Sequence, residues 1–258
     1  MLLEFYKYQG TGNDFIMIDN RHNAFDRKDL KLIKRLCDRK YGIGADGLIL
    51  IENLEGLDFN MIYFNADGSQ SFCGNGSRCA VAFSKYLGII TKEAKFLSTD
   101  GEHSAWINED GEVSLKMHDV EKIEKGKDYY FINTGSPHYI VQVDNVQSIN
   151  VKEKGAAIRY NERFKDKGTN VNFVSFEDKS LNIRTYERGV EDETLSCGTG
   201  VTAAALSYAD AKNILDDKIQ VNAVGGRLQV EFKKVDNIFK NICLIGPSKF
   251  VYKGRIEI

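Results

Sequence analysis

The sequence has few of the residues that form linkers, disulfide frameworks or membrane spans. Only two prolines occur in 258 residues, and no low-complexity run is present, which argues against a disordered linker. The five cysteines are odd in number and irregularly spaced, so they do not indicate a disulfide framework. No segment approaches the roughly 20 apolar residues that a membrane-spanning helix needs. The sequence therefore predicts neither a disulfide-stabilised secreted domain nor a helical membrane protein.

An excess of charge of either sign is also missing. The formal net charge is −2, with 42% hydrophobic and 28% charged residues, which is ordinary for a globular protein. Such a balance provides no electrostatic surface for nucleic acid or an anionic membrane. The first residues, "MLLEFYKYQG", show no basic region followed by an apolar stretch. We therefore expect a cytoplasmic protein with neither a nucleic-acid nor a membrane partner.

Signatures of metal and nucleotide binding are weak or absent. Cys-x-x-Cys pairs and closely spaced histidines, which zinc sites use, do not occur. The run "CGTGVTAAA" contains Gly-x-Gly-x-x-Ala, but it lacks the long apolar strand and the later acidic residue of a dinucleotide site. We therefore expect no metal and no cofactor.

Short β-rich runs separated by a few helices dominate the chain, which predicts an α+β fold with mixed, mostly antiparallel sheets. The segment "DLKLIKRLCDRKYG" has apolar residues at helical spacing, with Gly42 in the position of a C-terminal cap. Alanine-rich helices are predicted from near Gly74 to Gly88 and from about Gly198 to Lys212. The predicted strands are Leu3–Tyr8, Phe15–Asp19, Leu48–Glu52, Phe59–Phe64, Lys95–Ser98, Ser104–Ile107, Val113–Met117, Tyr130–Asn133, Tyr139–Val143, Val171–Phe176, Leu181–Tyr186, Lys218–Ala223, Arg227–Phe232, Asn241–Ile245 and Phe250–Tyr252.

One motif occurs twice. "SQSFCGNGSRCAVAF" and "TLSCGTGVTAAAL" each place a cysteine directly before Gly-x-Gly and then begin an apolar helix. Nearly the same separation relates three pairs of landmarks, namely Cys73 and Cys197, Thr11 and Thr134, and Gly42 and Gly168. The pattern predicts two pseudo-symmetric domains, each with a sheet wrapped around a central helix and the active site in the cleft between them. We expect residues 1–118, completed by strand 248–258, to form one domain, and residues 119–247 to form its internal repeat.

The position of the two cysteines indicates their chemistry. A helix N-terminus carries unpaired N–H groups and a partial positive charge, which lowers the pKa of a thiol there below its usual value of about 8.5. The glycines allow a ligand carboxylate to approach the backbone amides. Two such thiols on opposite sides of one carbon could remove an α-proton from one face and return a proton to the other. That chemistry inverts an amino-acid stereocentre.

Over essentially its full length the chain resembles the diaminopimelate epimerase family, which interconverts L,L- and meso-diaminopimelate without pyridoxal phosphate. The resemblance rests on five motifs, namely "YQGTGNDF", "FNADGSQSFCGNGSRC", "TGSPH", "NVNFV" and "YERGVEDETLSCGTG". It implies a diamino-dicarboxylate substrate, a role in lysine and peptidoglycan precursor biosynthesis, and a homodimer.

The resemblance also implies roles for individual residues. Cys73 and Cys197 match the acid/base thiols. The positions that match the reacting carboxylate's site are Gly74, Asn75, Gly198 and Thr199. The positions that match residues holding mainly the distal end of the substrate are Asn13, Asn65, Asn170 and Arg188. Glu187 and His138 match a polar pair that anchors the reacting amino group and the nearby thiol.

The chain departs from the family pattern at two substrate-contacting positions. Gly47 stands where many relatives have glutamine, and Ser136 stands where they have asparagine. Three alternatives stay open, namely a proline or hydroxyproline racemase of the same architecture, a non-catalytic amino-acid-binding protein and a thiol-redox protein. The remaining cysteines (Cys37, Cys79 and Cys243) are predicted to be packing residues. The histidines outside the motifs (His22, His103 and His118) are predicted to lie at the surface.

Overall fold

The computed structural model describes residues 2–258. These residues contain seventeen β-strands, four α-helices and one 3₁₀ helix. The predicted α+β class is confirmed. Within these residues, no helix combines the length and apolar character needed to cross a membrane. The chain divides into two compact units. Unit 1 contains the residues up to Leu115 together with Gly246–Ile258, and unit 2 contains Lys116–Ile245.

Unit 1 is a mixed sheet with a helix on each face. Its strands are β1 (Leu2–Gly10), β2 (Asn13–Asp19), β3 (Gly47–Glu52), β4 (Phe59–Asn65), β5 (Glu93–Ser98), β6 (Gly101–Ile107), β7 (Val113–Lys116) and β17 (Lys249–Glu257). Its helices are α1 (Leu30–Cys37) and α2 (Gly74–Tyr86). Strands β2–β3 and β4–β5 pair in parallel, and the other neighbours pair antiparallel. The C-terminal strand β17 pairs with the outer side of β1.

The two faces of this sheet are buried by different helices. Helix α2 is buried over most of its length and packs against β1, β2 and β6. On the opposite face, Ile33 and Leu36 of α1 pack with Ile16 and Leu48 in one apolar cluster. Strand β3, "GLILIE", is consequently almost continuously buried and apolar rather than alternating, as expected of a strand that is covered on both faces.

The end of α1 corrects one prediction. The helix ends at Cys37 rather than near Gly42, and Asp38 is its C-cap. Gly42 is needed for a different reason, because a Cβ atom there would lie 1.9 Å from the carbonyl oxygen of Arg35. The chain turns back at this point, so that the amides of Ile43 and Gly44 donate to the Leu36 carbonyl. The end of α2 agrees with the prediction, since Gly88 follows the C-cap with a φ of +71°.

Unit 2 has the same kind of architecture. Its strands are β8 (Ile123–Lys125), β9 (Tyr129–Asn133), β10 (Pro137–Gln142), β11 (Asn170–Phe176), β12 (Ser180–Glu187), β13 (Asp192–Thr194), β14 (Asp216–Ala223), β15 (Gly226–Val235) and β16 (Ile238–Gly246). Its helices are α3 (Val151–Arg159), α4 (Gly198–Lys212) and the 3₁₀ helix Val146–Ser148. Helix α4 is buried from Gly198 to Ala209 and packs against β10, β11, β12 and β14. On the opposite face, α3 packs on Val171 and Tyr186 through Val151.

The two units share one order of elements. Strands β1 to β4 of unit 1 correspond to β9 to β12 of unit 2, with a helix between the second and third strand of each set. A buried helix follows the fourth strand in both units, and three further strands follow that helix. The pairing also matches. Strands β2 and β3 pair in parallel, as do β10 and β11, and strands β4 and β5 pair in parallel, as do β12 and β14. The landmarks that are similar in sequence therefore occupy equivalent places.

Every strand predicted from the sequence overlaps a strand of the structure, and α4 has its predicted bounds. The elements that the sequence did not predict are β8, β13, α3 and the 3₁₀ helix Val146–Ser148. The two strands have three residues each, which is too short for a hydrophobic period to be visible.

Candidate active site

Cys73 is the N-cap residue of α2. Its backbone is extended, with φ −136° and ψ 108°, and its sulfur accepts from the amide of Gly76 at 3.4 Å. The Sγ atom also lies 3.5 Å from Oδ1 of Asn13, and Nδ2 of Asn75 lies 3.5 Å from the same oxygen. The structure thus brings together Asn13, Cys73 and Asn75 at the positive end of a buried helix, next to Gly74.

A charged network orients Asn13. Its Nδ2 donates to Asp46 Oδ2 at 2.6 Å, which leaves Oδ1 directed to the Cys73 sulfur. Arg39 pairs with both Asp46 and Asp14, at 2.8 and 2.7 Å. Burial raises the pKa of Asp14, but hydrogen bonds from Arg39 and from buried Lys7 outweigh it and hold the pKa at about 2. The lowered pKa keeps the Asp14 carboxylate ionised at neutral pH, and the hydrogen bond to Asp46 fixes the orientation of the Asn13 amide.

Arg78 places a fully buried positive charge one turn into α2. Its guanidinium donates to the Gly74 carbonyl at 3.5 Å and to Thr11 Oγ1 at 3.2 Å. Burial lowers its pKa, while attraction to Cys79 and Cys73 opposes that shift. A buried guanidinium favours the thiolate form of a nearby cysteine.

Cys197 is the N-cap residue of α4, and its surroundings differ from those of Cys73. Its Sγ lies 3.4 Å from Oγ1 of Thr199, and that hydroxyl lies 2.9 Å from Nε2 of His138. The other ring nitrogen of His138 is 3.1 Å from Nδ2 of Asn172, whose Oδ1 accepts from Thr185 at 3.0 Å. All five side chains are buried. A continuous hydrogen-bonded chain therefore reaches the sulfur from inside the sheet.

His138, the histidine in this hydrogen-bonded chain, is neutral. Burial is the main cause, and the positive charge of Arg188 adds to it; the pKa of His138 is lowered to about 3. His138 is completely buried. It therefore acts near neutral pH as a hydrogen-bonding group rather than as a cation.

A second cluster in unit 2 joins Ser136, Asn170 and Arg188. Nδ2 of Asn170 donates to Ser136 Oγ at 2.8 Å, and the backbone amide of Arg188 donates to Asn170 Oδ1 at 2.9 Å. The exposed Arg188 guanidinium also reaches Ser136 Oγ at 3.4 Å and the Lys167 carbonyl at 3.1 Å. Ser136 is thus integrated with two of the predicted substrate-binding residues.

The remaining predicted residues lie at strand ends and helix starts. Glu187 ends β12 and accepts from Thr194 Oγ1 at 2.7 Å. Asn65 ends β4, and its amide donates to Ser69 and Ser71 in the loop that leads to Cys73. Gly198 begins α4.

Gly47 has no room for a side chain. A Cβ atom there would lie 2.4 Å from the ring of Tyr63 and 2.5 Å from the Phe64 carbonyl oxygen. The Tyr63 ring therefore fills the space into which a glutamine at position 47 would begin to extend.

The other cysteines are packing residues, as predicted. Burial raises the pKa of Cys37 to about 12 and the pKa values of Cys79 and Cys243 to about 11, so these thiols stay protonated. The surface position predicted for His103 is wrong. This side chain is buried, stacks on Phe72 with ring centroids 4.7 Å apart, and contacts Asp100 at 2.8 Å.

Sequence reasoning missed Asn172, Thr185, Arg78 and the Asp14–Arg39–Asp46 network. One signal for Asn172 was available, because "NVNFV" places two asparagines on one face of an otherwise apolar strand. Among residues 2–258, no three His, Cys, Asp or Glu side chains come together as metal ligands.

Comparison with known proteins assigns the family. The diaminopimelate epimerase family profile matches residues 5–123 and 130–251. A Flavobacterium psychrophilum protein named diaminopimelate epimerase is 50% identical over 256 residues, covering 98% of this chain and 100% of the relative.

Two solved structures share the fold. A PhzF-family phenazine biosynthesis protein from Bacillus anthracis has a TM-score of 0.80 at 14% identity, with 100% of both chains covered. A probable proline racemase from Agrobacterium radiobacter has a TM-score of 0.70 at 15% identity, covering 99% of this chain and 93% of the other. At such low identity these two likenesses concern the fold alone, whereas the family profile and the 50% identical relative cover nearly the whole chain. This chain belongs to the diaminopimelate epimerase family.

Proposed function

We propose that the protein is a cofactor-independent epimerase that interconverts L,L-2,6-diaminopimelate and meso-diaminopimelate. Membership of the family supports the substrate. One structural observation carries the mechanism, namely that each unit has a cysteine at the N-cap of its buried central helix. No other cysteine in residues 2–258 occupies such a position.

The reaction is a pair of proton transfers at one carbon. One cysteine, as the thiolate, takes the α-proton and becomes a thiol. The other cysteine, as the thiol, gives its proton to the opposite face of the carbon and becomes a thiolate. The reverse reaction exchanges the roles of Cys73 and Cys197. This mechanism requires that both sulfur atoms reach one substrate carbon.

Backbone amides supply the stabilisation of the transition state. As the α-proton leaves, negative charge moves onto the substrate carboxylate. The amides at Gly74 and Asn75, and at Gly198 and Thr199, belong to the first turns of α2 and α4. N–H groups in the first turn of a helix point outward along the helix axis, so they can donate to that carboxylate. Because this charge is greater in the transition state than in the substrate, the interaction accelerates the reaction.

The distal end of the substrate needs donors for a carboxylate and acceptors for an ammonium group. Arg188 offers a guanidinium fork for the distal carboxylate. The side chains of Asn13, Asn65 and Asn170 offer amide donors and acceptors. Glu187 and His138 would anchor the reacting amino group and the nearby thiol, His138 acting on the thiol through the Thr199 hydroxyl. Ser136 supports this cluster through its contacts with Asn170 and Arg188.

The proposal extends to the organisation of the protein. Residues 1–118 with 248–258, and residues 119–247, would be two copies of one domain, and this duplication would supply the two thiols. The enzyme would act in the cytoplasm as a homodimer, in the biosynthesis of lysine and peptidoglycan precursors. The matching order of elements in the two units supports the duplication.

Exchange of the α-proton tests the proposal. Pure L,L-diaminopimelate is incubated with the protein in D₂O, and deuterium incorporation and meso product are followed by NMR. L-Proline and trans-4-hydroxy-L-proline are incubated in parallel. We expect deuterium only in diaminopimelate, and we expect Cys73→Ser and Cys197→Ser each to abolish epimerisation. Cys243→Ser is the matched control, because Cys243 is buried in β16 outside the helix N-termini.

Other outcomes would reassign the protein. Exchange confined to the cyclic imino acids would keep the two-thiol mechanism and change the substrate to that of a proline or hydroxyproline racemase. A lack of exchange with every compound would contradict the proposal in favour of a binding or thiol-redox protein.

A further inference from the structure

The buried series of hydrogen bonds that ends at the Cys197 sulfur runs from donor to acceptor in one defined direction. It begins at Thr185, whose hydroxyl donates to Asn172 Oδ1 at 3.0 Å. This contact uses the acceptor of the Asn172 amide and directs its donor, Nδ2, to His138 Nδ1 at 3.1 Å. An amide nitrogen can only donate, so Nδ1 of His138 has to be the unprotonated nitrogen.

The proton of neutral His138 is therefore on Nε2. That N–H faces Thr199 Oγ1 at 2.9 Å and donates to it. The hydroxyl oxygen has then accepted one bond, and its own hydrogen is available to the Cys197 sulfur at 3.4 Å. All members of the chain are buried, so water does not compete with these bonds.

We propose that Asn172, anchored by Thr185, is a positioning residue that fixes His138 as the Nε2–H tautomer and directs the Thr199 hydroxyl hydrogen to the Cys197 sulfur. The catalytic consequence of this inference rests on the proposed function. The tautomer itself does not, since it is a property of the free protein.

The equivalent place in unit 1 contains apolar side chains. The second glycine of the first motif, Gly76, faces Ile49, Met61 and Phe15. The second glycine of the other motif, Gly200, faces Asn172 Oδ1 and His138 Cε1. The hydrogen-bonded chain is therefore a feature of unit 2.

The two sulfurs consequently have different partners. Cys73 Sγ lies beside an oxygen acceptor, Asn13 Oδ1, which opposes the ionisation that the Gly76 amide and Arg78 favour. Cys197 Sγ lies beside the Thr199 hydroxyl. Because that hydroxyl accepts from His138, its hydrogen is directed to the sulfur, which favours the thiolate. Arg188 is the charged residue that acts on His138, and Glu187 is the last residue of β12 beside it. Mutation of Asn172 changes neither residue.

Nitrogen NMR of the histidine ring tests the tautomer directly. Protein labelled with ¹⁵N-histidine is measured at pH 7 without substrate, and His138 is assigned with a His138→Gln sample. We expect a protonated Nε2 and an unprotonated Nδ1 in the wild type. In Asn172→Leu, which has similar size but no donor, we expect a population with a protonated Nδ1. If Asn172→Leu does not fold, Asn172→Asp replaces it, because an ionised carboxylate only accepts and requires Nδ1–H.

Kinetics then separate positioning from a general structural effect. In the Asn172 variant we expect kcat for epimerisation to fall by about 10- to 100-fold, the usual range for removing a partner that orients a functional group, and KM to change much less. Thr202→Val is the matched control. It removes another buried hydroxyl from α4, which donates only to the Gly198 carbonyl at 3.0 Å, and it should preserve both the tautomer and kcat.

The outcomes distinguish this inference from the proposed function. A wild type with protonated Nδ1, or an Asn172 variant with unchanged tautomer and unchanged kcat, would overturn the role of Asn172. An equal loss of kcat in Thr202→Val would do the same. A wild type that has the Nε2–H tautomer but epimerises no substrate would overturn the proposed function and leave the assignment of the tautomer intact.

Discussion

The amide nitrogen of Asn172 donates to Nδ1 of His138 over 3.1 Å, and both side chains are fully buried. At the equivalent place in unit 1, Ile49 and Phe15 pack against the start of α2. Two helices with the same cysteine-glycine start therefore have different electrostatic surroundings. Because a two-base reaction needs one thiolate and one thiol at any moment, unequal surroundings favour a single protonation state of the pair.

The second glycine of each motif gives a matched pair of variants. In Gly200→Ala, the new Cβ would lie 2.6 Å from Asn172 Oδ1, which is held by Thr185 and cannot shift without breaking the chain. In Gly76→Ala, the nearest atom is the mobile end of Ile49 at 3.1 Å. We expect Gly200→Ala to lower the free energy of unfolding by about 1–3 kcal/mol and to lower kcat. Urea denaturation should show a smaller effect for Gly76→Ala, and equal losses would contradict this account.

The buried neutral His138 makes the protein sensitive to acid. Its pKa of about 3 in the folded state is below the value of about 6.5 in the unfolded state. The unfolded state therefore binds more protons as the pH falls below about 6, and this group removes about 1.4 kcal/mol of stability per pH unit. Urea denaturation between pH 7 and 5 should show a weaker pH dependence for His138→Gln than for the wild type. The exposed His22→Gln serves as the control, and parallel profiles for all three proteins would refute the prediction.

Arg78 is expected to promote ionisation of Cys73. Its buried charge is attracted to the Cys73 thiolate, so Arg78→Met should raise the pKa of that thiol and slow epimerisation near neutral pH. Alkylation by iodoacetamide as a function of pH, read at each cysteine by peptide mass spectrometry, measures this. The profile of Cys197 is the internal control. A profile of Cys73 that does not move would mean that Arg78 only fills space.

Oxidation should inactivate the enzyme by linking Cys73 to Cys197. The proposed mechanism requires both sulfurs to reach one carbon, and two thiols that do so can approach each other closely when the substrate is absent. We expect loss of activity with a mild oxidant, recovery with a reductant, and one peptide that contains both cysteines. Cys243→Ser should behave like the wild type, and Cys197→Ser should give no linked peptide. An inactivated wild type in which peptide mapping finds both thiols free would disprove the prediction.

Local patterns predicted the long elements and failed for short or irregular ones. Helix α3, "VKEKGAAIR", contains a central glycine and few apolar residues, and it is stabilised by packing on Val171 and Tyr186 rather than by its own sequence. The position of Gly42 predicts a C-terminal cap there, whereas α1 ends at Cys37. The role of Gly42 is to allow the returning chain to pass close to the carbonyl of Arg35, a contact between segments that local sequence does not reveal.

The sequence by itself determined the parts of the site that are contiguous in the chain. A cysteine, two glycines and an alanine-rich run are sufficient to specify a thiol at the start of a buried helix, and their recurrence indicated two such sites. Only the tertiary structure decided how each thiol is surrounded. Thr185, Asn172, His138 and Thr199 come from β12, β11, β10 and α4. They meet because the registers align His138 with Asn170 and Asn172 with Thr185. A strand pattern of period two fixes which face a side chain occupies but not the neighbour that it meets there, so the direction of the hydrogen-bonded chain depends on the assembled sheet.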